Sequence, residues 1–197
     1  GGFVRAHPLV ALRLRVGNTD EIAHALLEHT LDVACVEGPV IHPELEARPW
    51  REDALVVCVP PAHRLAALHT PQAEDCDAER WILREPGSAT RSLSERALAT
   101  LPPPRGVLEL SQTEAIKQAV VAGLGISFIS QHTLGLELSS GRLVILKVDG
   151  TPVMRRWFLV RHKSKRLTPA LGAFWDFVLE FAPDYLKRLE HQAAGDK

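Results

Sequence analysis

Cysteine is scarce in this sequence: three residues among 197, none in a Cys-x-x-Cys spacing. An odd number of unpaired thiols gives neither a disulfide framework nor a zinc knuckle and points to a reducing cytosol. Long apolar runs are missing as well. No uncharged stretch of about twenty apolar residues exists, which excludes a membrane-spanning helix, and Arg5 and His7 interrupt the apolar stretch a secretory leader would need. Neither sign of charge is in excess: 23 Lys+Arg against 24 Asp+Glu leave a net charge of −1. That balance, with a single tyrosine among few aromatics, argues against a surface that tracks nucleic acid along its whole length. Any DNA contact then belongs to a segment outside this chain.

Chemical signatures are equally thin. His24 with His29, and His63 with His69, miss the i,i+4 spacing that puts two metal ligands on one helix face. Ser88 stands in Pro86-Gly-Ser-Ala-Thr90, without the flanking glycines of a nucleophile elbow. There is no Gly-Lys-Ser phosphate loop, and Gly123-Leu-Gly125 follows a helical pattern rather than a strand, so no dinucleotide fingerprint is present. Catalytic residues, metal ligands and cofactors are therefore not expected. Cys35 and Cys58 sit in apolar runs and read as small buried hydrophobes. The acidic neighbours Asp75 and Asp77 should raise the pKa of Cys76.

Apolar runs of strand length alternate with helical periodicity, the pattern of an α/β protein with mostly parallel sheets. Strands are expected at Val10–Val16, Leu31–Val36, Ala54–Val59, Trp81–Arg84, Val107–Leu110, Ile126–Ile129, Leu143–Val148 and Arg156–Val160. Thr19 is placed to cap a helix running to about Leu31, which with the flanking strands makes a βαβ unit. Further helices are expected from about Ser88–Ser92 to Leu101, from Ser111 to Ala122, and from Thr168-Pro169 to about Ala182-Pro183, followed by a polar tail after Lys187. Pro60-Pro61 reads as a boundary, because proline cannot donate to a strand ladder.

Three places join a strand end, a small polar loop and a helix start: Gly17-Asn18-Thr19, Gly87-Ser88-Ala-Thr90-Arg91 and Ser111-Gln112-Thr113. Unpaired helix N–H groups and hydroxyl donors there suit an anion, although each pattern alone is also ordinary helix capping. The second is the sharpest. Gly87 lets a ligand approach the backbone, and Arg91 offers a forked donor for a carboxylate or oxyanion. The run from Arg155 to Arg166, with six Lys or Arg in twelve residues and no acid, reads as a charged strand edge and solvated loop.

In Trp81-Ile-Leu-Arg-Glu-Pro-Gly-Ser-Ala-Thr-Arg91 the sequence resembles the effector-binding domain of LysR-type transcriptional regulators. Phe3-x-x-x-His7-Pro8, Gly17-Asn-Thr19, Leu31-Asp-Val-Ala34, Asp53-Ala-Leu-Val-Val57 with Pro60-x-x-His63, and Ala122-Gly-Leu-Gly-Ile126 follow in matching order over nearly the whole chain. The resemblance implies a two-lobed, periplasmic-binding-protein-like (type II) fold with an effector in the cleft between lobes. Lobe one would be residues 1–61 plus 153–197 and lobe two 62–152, with crossovers near Pro60 to His63 and Gly150 to Val153. Compared with that pattern, a first strand and helix of lobe one and the winged helix-turn-helix are missing from the residues given. The resemblance places Asn18 and Thr19, Ser88, Thr90 and Arg91, and more weakly Gln112, Thr113 and Ser130, around a small anionic effector, a sulfite-like oxyanion or a carboxylate. It implies a cytoplasmic homodimer or tetramer, without enzymatic activity or membrane contact, that meets DNA through a domain outside this chain. An extracytoplasmic solute-binding protein for a small anion is the alternative on the same fold.

Overall fold

In the computed structural model, residues 1–68, 70–101 and 103–180 are described. His69, the expected end of the last helix near Ala182-Pro183, and the tail after Lys187 lie outside them. The chain divides into two compact units: Gly1–Arg51 with Arg156–Lys197 (unit 1), and Glu52–Arg155 (unit 2). Both divisions fall inside long strands.

Unit 1 opens with a short helix, α1 (Gly2–Ala6), whose Phe3 ring meets Phe174 and Phe177 edge-on. Helix α2 (Thr19–Leu27) starts at an N-cap one residue earlier than the sequence indicates. Asn18 accepts from Glu21 N and Glu21 returns the bond to Asn18 N, both at 3.0 Å, so Thr19 is the first helical residue. Its apolar face, Ile22 and Leu26, packs on Ala34 and Val36 of strand β1 (Ala34–Val36) and on Leu45 and Val160. Alternation along β1 turns Cys35 outward, so this thiol is exposed, against the expectation that it is buried.

The expected strand at Val10–Val16 does not form. Among the described residues it pairs with no strand, and Leu14 and Val16 are 85% and 88% exposed. Period-two alternation prepares a face but supplies no partner for the backbone. Without that strand the βαβ unit expected around α2 is absent as well.

Strand β2 (Leu45–Val59) runs from unit 1 into unit 2, far longer than the apolar stretch Ala54–Val59 that marks it in the sequence. In unit 2 come β3 (Arg80–Leu83), α3 (Ala89–Leu98), β4 (Gly106–Glu109), α4 (Thr113–Val121), β5 (Ser127–Ser130), the short α5 (Gly135–Ser139) and β6 (Val144–Leu146). Strand β7 (Val153–His162) returns to unit 1, where it pairs antiparallel with β1, and α6 (Pro169–Glu180) packs Trp175 and Val178 on Leu159.

The sheets are not mostly parallel. Among the described residues, β1 pairs antiparallel with β7, and β2 with β5 and with β6, while β3–β4 and the Trp81–Ile126 bridge are parallel. The parallel part follows from its connections, since β3-α3-β4 is a helix crossover and β2 and β7 are traversing strands. Two apolar clusters hold unit 2: Leu55, Val57, Val59, Trp81 and Phe128 in one, Val56, Cys58, Ile82, Ile116 and Ile129 in the other. The two sets come from opposite faces of β2.

Candidate functional site

Three of the expected hydroxyls, those of Ser88, Thr90 and Ser130, are buried in unit 2. Ser88, only 3% exposed, is the N-cap of α3, yet its hydroxyl caps no backbone N–H of that helix. Gly87 precedes it at φ 84°, a left-handed conformation that suits glycine and lets the chain turn into the helix. Thr90, buried in the first turn of α3, accepts from Arg155 Nη1 at 2.8 Å. Arg155 Nε donates to Asp53 Oδ2 at 2.6 Å, and Ser130 Oγ at the end of β5 donates to Asp53 Oδ1 at 2.8 Å. Thr90, Arg155, Asp53 and Ser130 thus form one chain of charge-assisted bonds, shielded from water. The Ala54 N–H also donates to Asp53 Oδ1, at 2.9 Å, and His132 Nε2 faces the same oxygen at 3.7 Å.

Of the other expected residues, Arg91 has its guanidinium committed within the chain. Nε donates to Glu95 at 2.6 Å, and Nη1 to the Arg84 carbonyl at 2.7 Å and to Glu109 at 3.2 Å. The forked donor expected to face a ligand is engaged by protein acceptors. Gln112, not Ser111, is the N-cap of α4, makes no capping bond and is exposed, and Thr113 is half-buried. Asn18 and Thr19 belong to α2 of unit 1 and its cap. Among the described residues, no group of three or more His, Cys, Asp or Glu could hold a metal ion.

Asp53, Arg155 and His132 are not among the site residues expected from the sequence, although Asp53 opens a family landmark and Arg155 opens the basic run. Arg155 falls in the basic run that reads as solvated, but it is 7% exposed. Other members of that run are also paired: Arg161 with Glu46, and Lys165 with Asp32 at 2.7 Å. The available signal is an acid opening an apolar strand at Asp53, which demands a buried cation somewhere in the fold.

Elsewhere in unit 2, Lys117 is buried against Glu137 at 3.0 Å, with Glu114 at 2.8 Å and the Thr133 carbonyl completing its shell. Burial alone would lower the pKa of Lys117, but its bonds to Glu114 and Glu137 outweigh that and raise it. Burial pushes the Cys58 thiol up to about 12, aided by the charge of Glu137. It pushes Cys76 up to about 11, aided by Glu79 and Asp75, so desolvation exceeds the acidic effect expected there.

Residues 1–183 match the family model for the LysR substrate binding domain. The chain belongs to the LysR family. Among LysR proteins it is 39% identical over 184 residues to a RuBisCO operon transcriptional regulator from Allochromatium vinosum, covering 91% of this chain and 60% of that protein. It is 40% identical over 181 residues to the HTH-type transcriptional regulator CbbR of Sinorhizobium medicae, covering 91% and 58%. The chain thus spans about 60% of the length of these curated LysR relatives. Among solved structures it resembles the CcmR regulatory domain of Synechocystis PCC6803 in complex with 2-PG, with 32% identity, a TM-score of 0.82, and coverage of 90% of this chain and 86% of that one. The effector binding domain of QuiR in complex with shikimate, at 22% identity, TM-score 0.79 and 93% and 88% coverage, shares the fold. The LysR effector-domain fold, periplasmic-binding-protein-like and of type II, is the fold of this chain.

Proposed function

We propose that this chain is the effector-binding part of a LysR-type transcriptional regulator and senses a small anionic metabolite. The observation that carries the reading is its 32% identity with a regulatory domain solved with 2-PG, across 90% of the chain. The buried hydroxyl cluster supports it chemically. Ser88 at the start of α3 and Thr90 beside the Arg155 guanidinium suit an anionic oxygen, which binds by hydrogen bonds from hydroxyls and helix N–H groups, whereas Ser130 gives its proton to Asp53 and enters the proposal through that bond. Asn18, Thr19, Arg91, Gln112 and Thr113 remain part of the proposal, each to be tested by its own alanine variant. The names of the relatives favour a regulator over a solute-binding protein or an enzyme. As a regulator it would act in the cytoplasm as a homodimer or tetramer and meet DNA through a helix-turn-helix domain.

Thermal-shift and calorimetric titration with 2-PG, sulfite, sulfate, phosphate and shikimate test the proposal. At least one small anion raises the unfolding temperature with increasing concentration. Ser88→Ala with Thr90→Ala weakens that anion at least tenfold, about 1.4 kcal/mol, while the protein stays folded. A screen without a single stabilising anion, or a double variant that binds equally well, overturns it.

A further inference from the structure

Strands β2 and β7 each begin in one unit and end in the other. Asp53 on β2 is the second residue of unit 2, and Arg155 on β7 is its last. They are each other's counter-ion: Arg155 Nη2 lies 2.5 Å from Asp53 Oδ2, with side chains 2% and 0% exposed. Each also reaches one hydroxyl of the candidate site, Arg155 that of Thr90 and Asp53 that of Ser130. The four groups form a single path, Thr90–Arg155–Asp53–Ser130, with its middle on the two traversing strands and its ends on α3 and β5.

We infer that the Asp53–Arg155 pair is a coupling element that joins the Thr90 and Ser130 hydroxyls to both strands leaving unit 2, so that altered hydrogen bonding at either hydroxyl is felt on both. Three observations support this. All four residues are at most 8% exposed, so water does not screen the path. The bonds are charge-assisted and share partners, so loss of one redistributes the others. A rearranged guanidinium also has little freedom, because Nε and Nη2 hold Asp53 while Nη1 holds Thr90. The pair is a positioning element and is not assigned any contact with the ligand. Its use in signalling rests on the effector-site reading; its mechanical coupling does not.

Native-state hydrogen exchange on the ligand-free chain tests the coupling. Thr90→Val removes the hydroxyl bonded to β7, and Ser130→Ala the one bonded to β2. Thr90→Val speeds amide exchange around Asp53 on β2 as well as around Arg155 on β7, and Ser130→Ala does the converse, each by about fivefold or more. Since β7 and β2 are also neighbours in the sheet, both substitutions are repeated in an Asp53→Asn/Arg155→Met background. There Thr90→Val changes exchange on either strand by less than about twofold, because the introduced methionine offers Thr90 no donor, while Ser130→Ala keeps its effect on β2 and loses its effect on β7. Effects confined to the near strand in the natural background, or far-strand effects that survive in the uncoupled one, overturn the inference. If the uncoupled background fails to fold, a double-mutant cycle between Thr90→Val and Ser130→Ala decides. A departure from additivity by about fivefold in the unfolding constant supports coupling, and additivity overturns it. Because no ligand is used, a failed anion screen would sink the effector reading and leave this result standing.

Discussion

Arg155 Nε donates to Asp53 Oδ2 at 2.6 Å across 102 residues of sequence, and both side chains are closed to water. Removing one charge strands the other. Asp53→Ala should therefore lower unfolding free energy by about 3–5 kcal/mol, whereas Asp53→Asn combined with Arg155→Met should cost distinctly less than the sum of the single changes. Urea denaturation of these variants beside the natural protein checks this. Additive losses would show that the pair is not energetically linked.

Gly125 lies between α4 and β5, where a Cβ would fall 2.4 Å from the Arg80 carbonyl oxygen. That oxygen already accepts the Ile126 N–H at 2.9 Å and helps align β3 with the start of β5. Neither backbone can yield without breaking this register. Gly125→Ala should cost more than about 2 kcal/mol, seen as a lowered urea midpoint. A variant within about 0.5 kcal/mol of the natural protein would mean that the turn relaxes at little cost.

The Lys117–Glu137 bridge follows the same logic elsewhere in unit 2, and among the described residues Glu137 Oε2 has no hydrogen-bond partner. Lys117→Met leaves a buried carboxylate without its cation and should destabilise by about 3–5 kcal/mol, with Lys117→Met/Glu137→Leu recovering most of the loss. Equilibrium unfolding reads both. A double variant no better than the single one would show that packing, not charge, sets the cost.

The three cysteines should separate by reactivity. In the native protein near pH 8, a thiol reagent should modify Cys35 before Cys58 and Cys76, but slowly, because desolvation raises the Cys35 thiol to about 11 and leaves little thiolate. Labelling of a second thiol as fast as Cys35 would contradict the burial of Cys58 and Cys76.

The same burial gives a sign to alkaline stability. Folding raises the pKa of Cys58 from 9.0 to about 12 and that of Cys76 from 9.0 to about 11. A raised folded-state pKa means that the native state holds the proton longer, so this contribution is intact below pH 9 and is lost as pH rises toward 11 and 12. Each thiol steepens the loss by about 1.4 kcal/mol per pH unit in that window. Denaturant midpoints for Cys58→Ala and Cys76→Ala, followed from about pH 8.5 to about 10.5, should fall less steeply than those of the natural protein. Equal slopes would remove the thiols as the cause.

Much of the order of elements is legible because it is written locally. On α2 the apolar face of Ile22, Ala25 and Leu26 and the reciprocal Asn18–Glu21 cap each join residues within about one helical turn, and Gly87 stands directly before the cap of α3. What is not legible depends on distant partners. Nothing near Val10–Val16 says whether a neighbouring strand will accept its backbone, and nothing near Arg155 names Asp53 as its counter-ion. Cys35 departs from expectation for a related reason, since a three-residue strand alternates faces and composition alone does not say which face is inside. Of the candidate site, Ser88 and Thr90 stand out through their loop context, Ser130 comes from the family resemblance, and the charges beside them come from the two ends of unit 2.

The unpaired run at Val10–Val16 bears on how the protein behaves at high concentration. Among the described residues no strand covers its backbone, and Leu14 and Val16 are exposed, which are the ingredients of edge-to-edge aggregation. Arg13 and Arg15 alternate with those apolar side chains, so two copies approaching through this run bring like charges together. Salt that screens those arginines removes the protection and leaves the apolar attraction intact, so concentrated stocks should keep longest at low ionic strength.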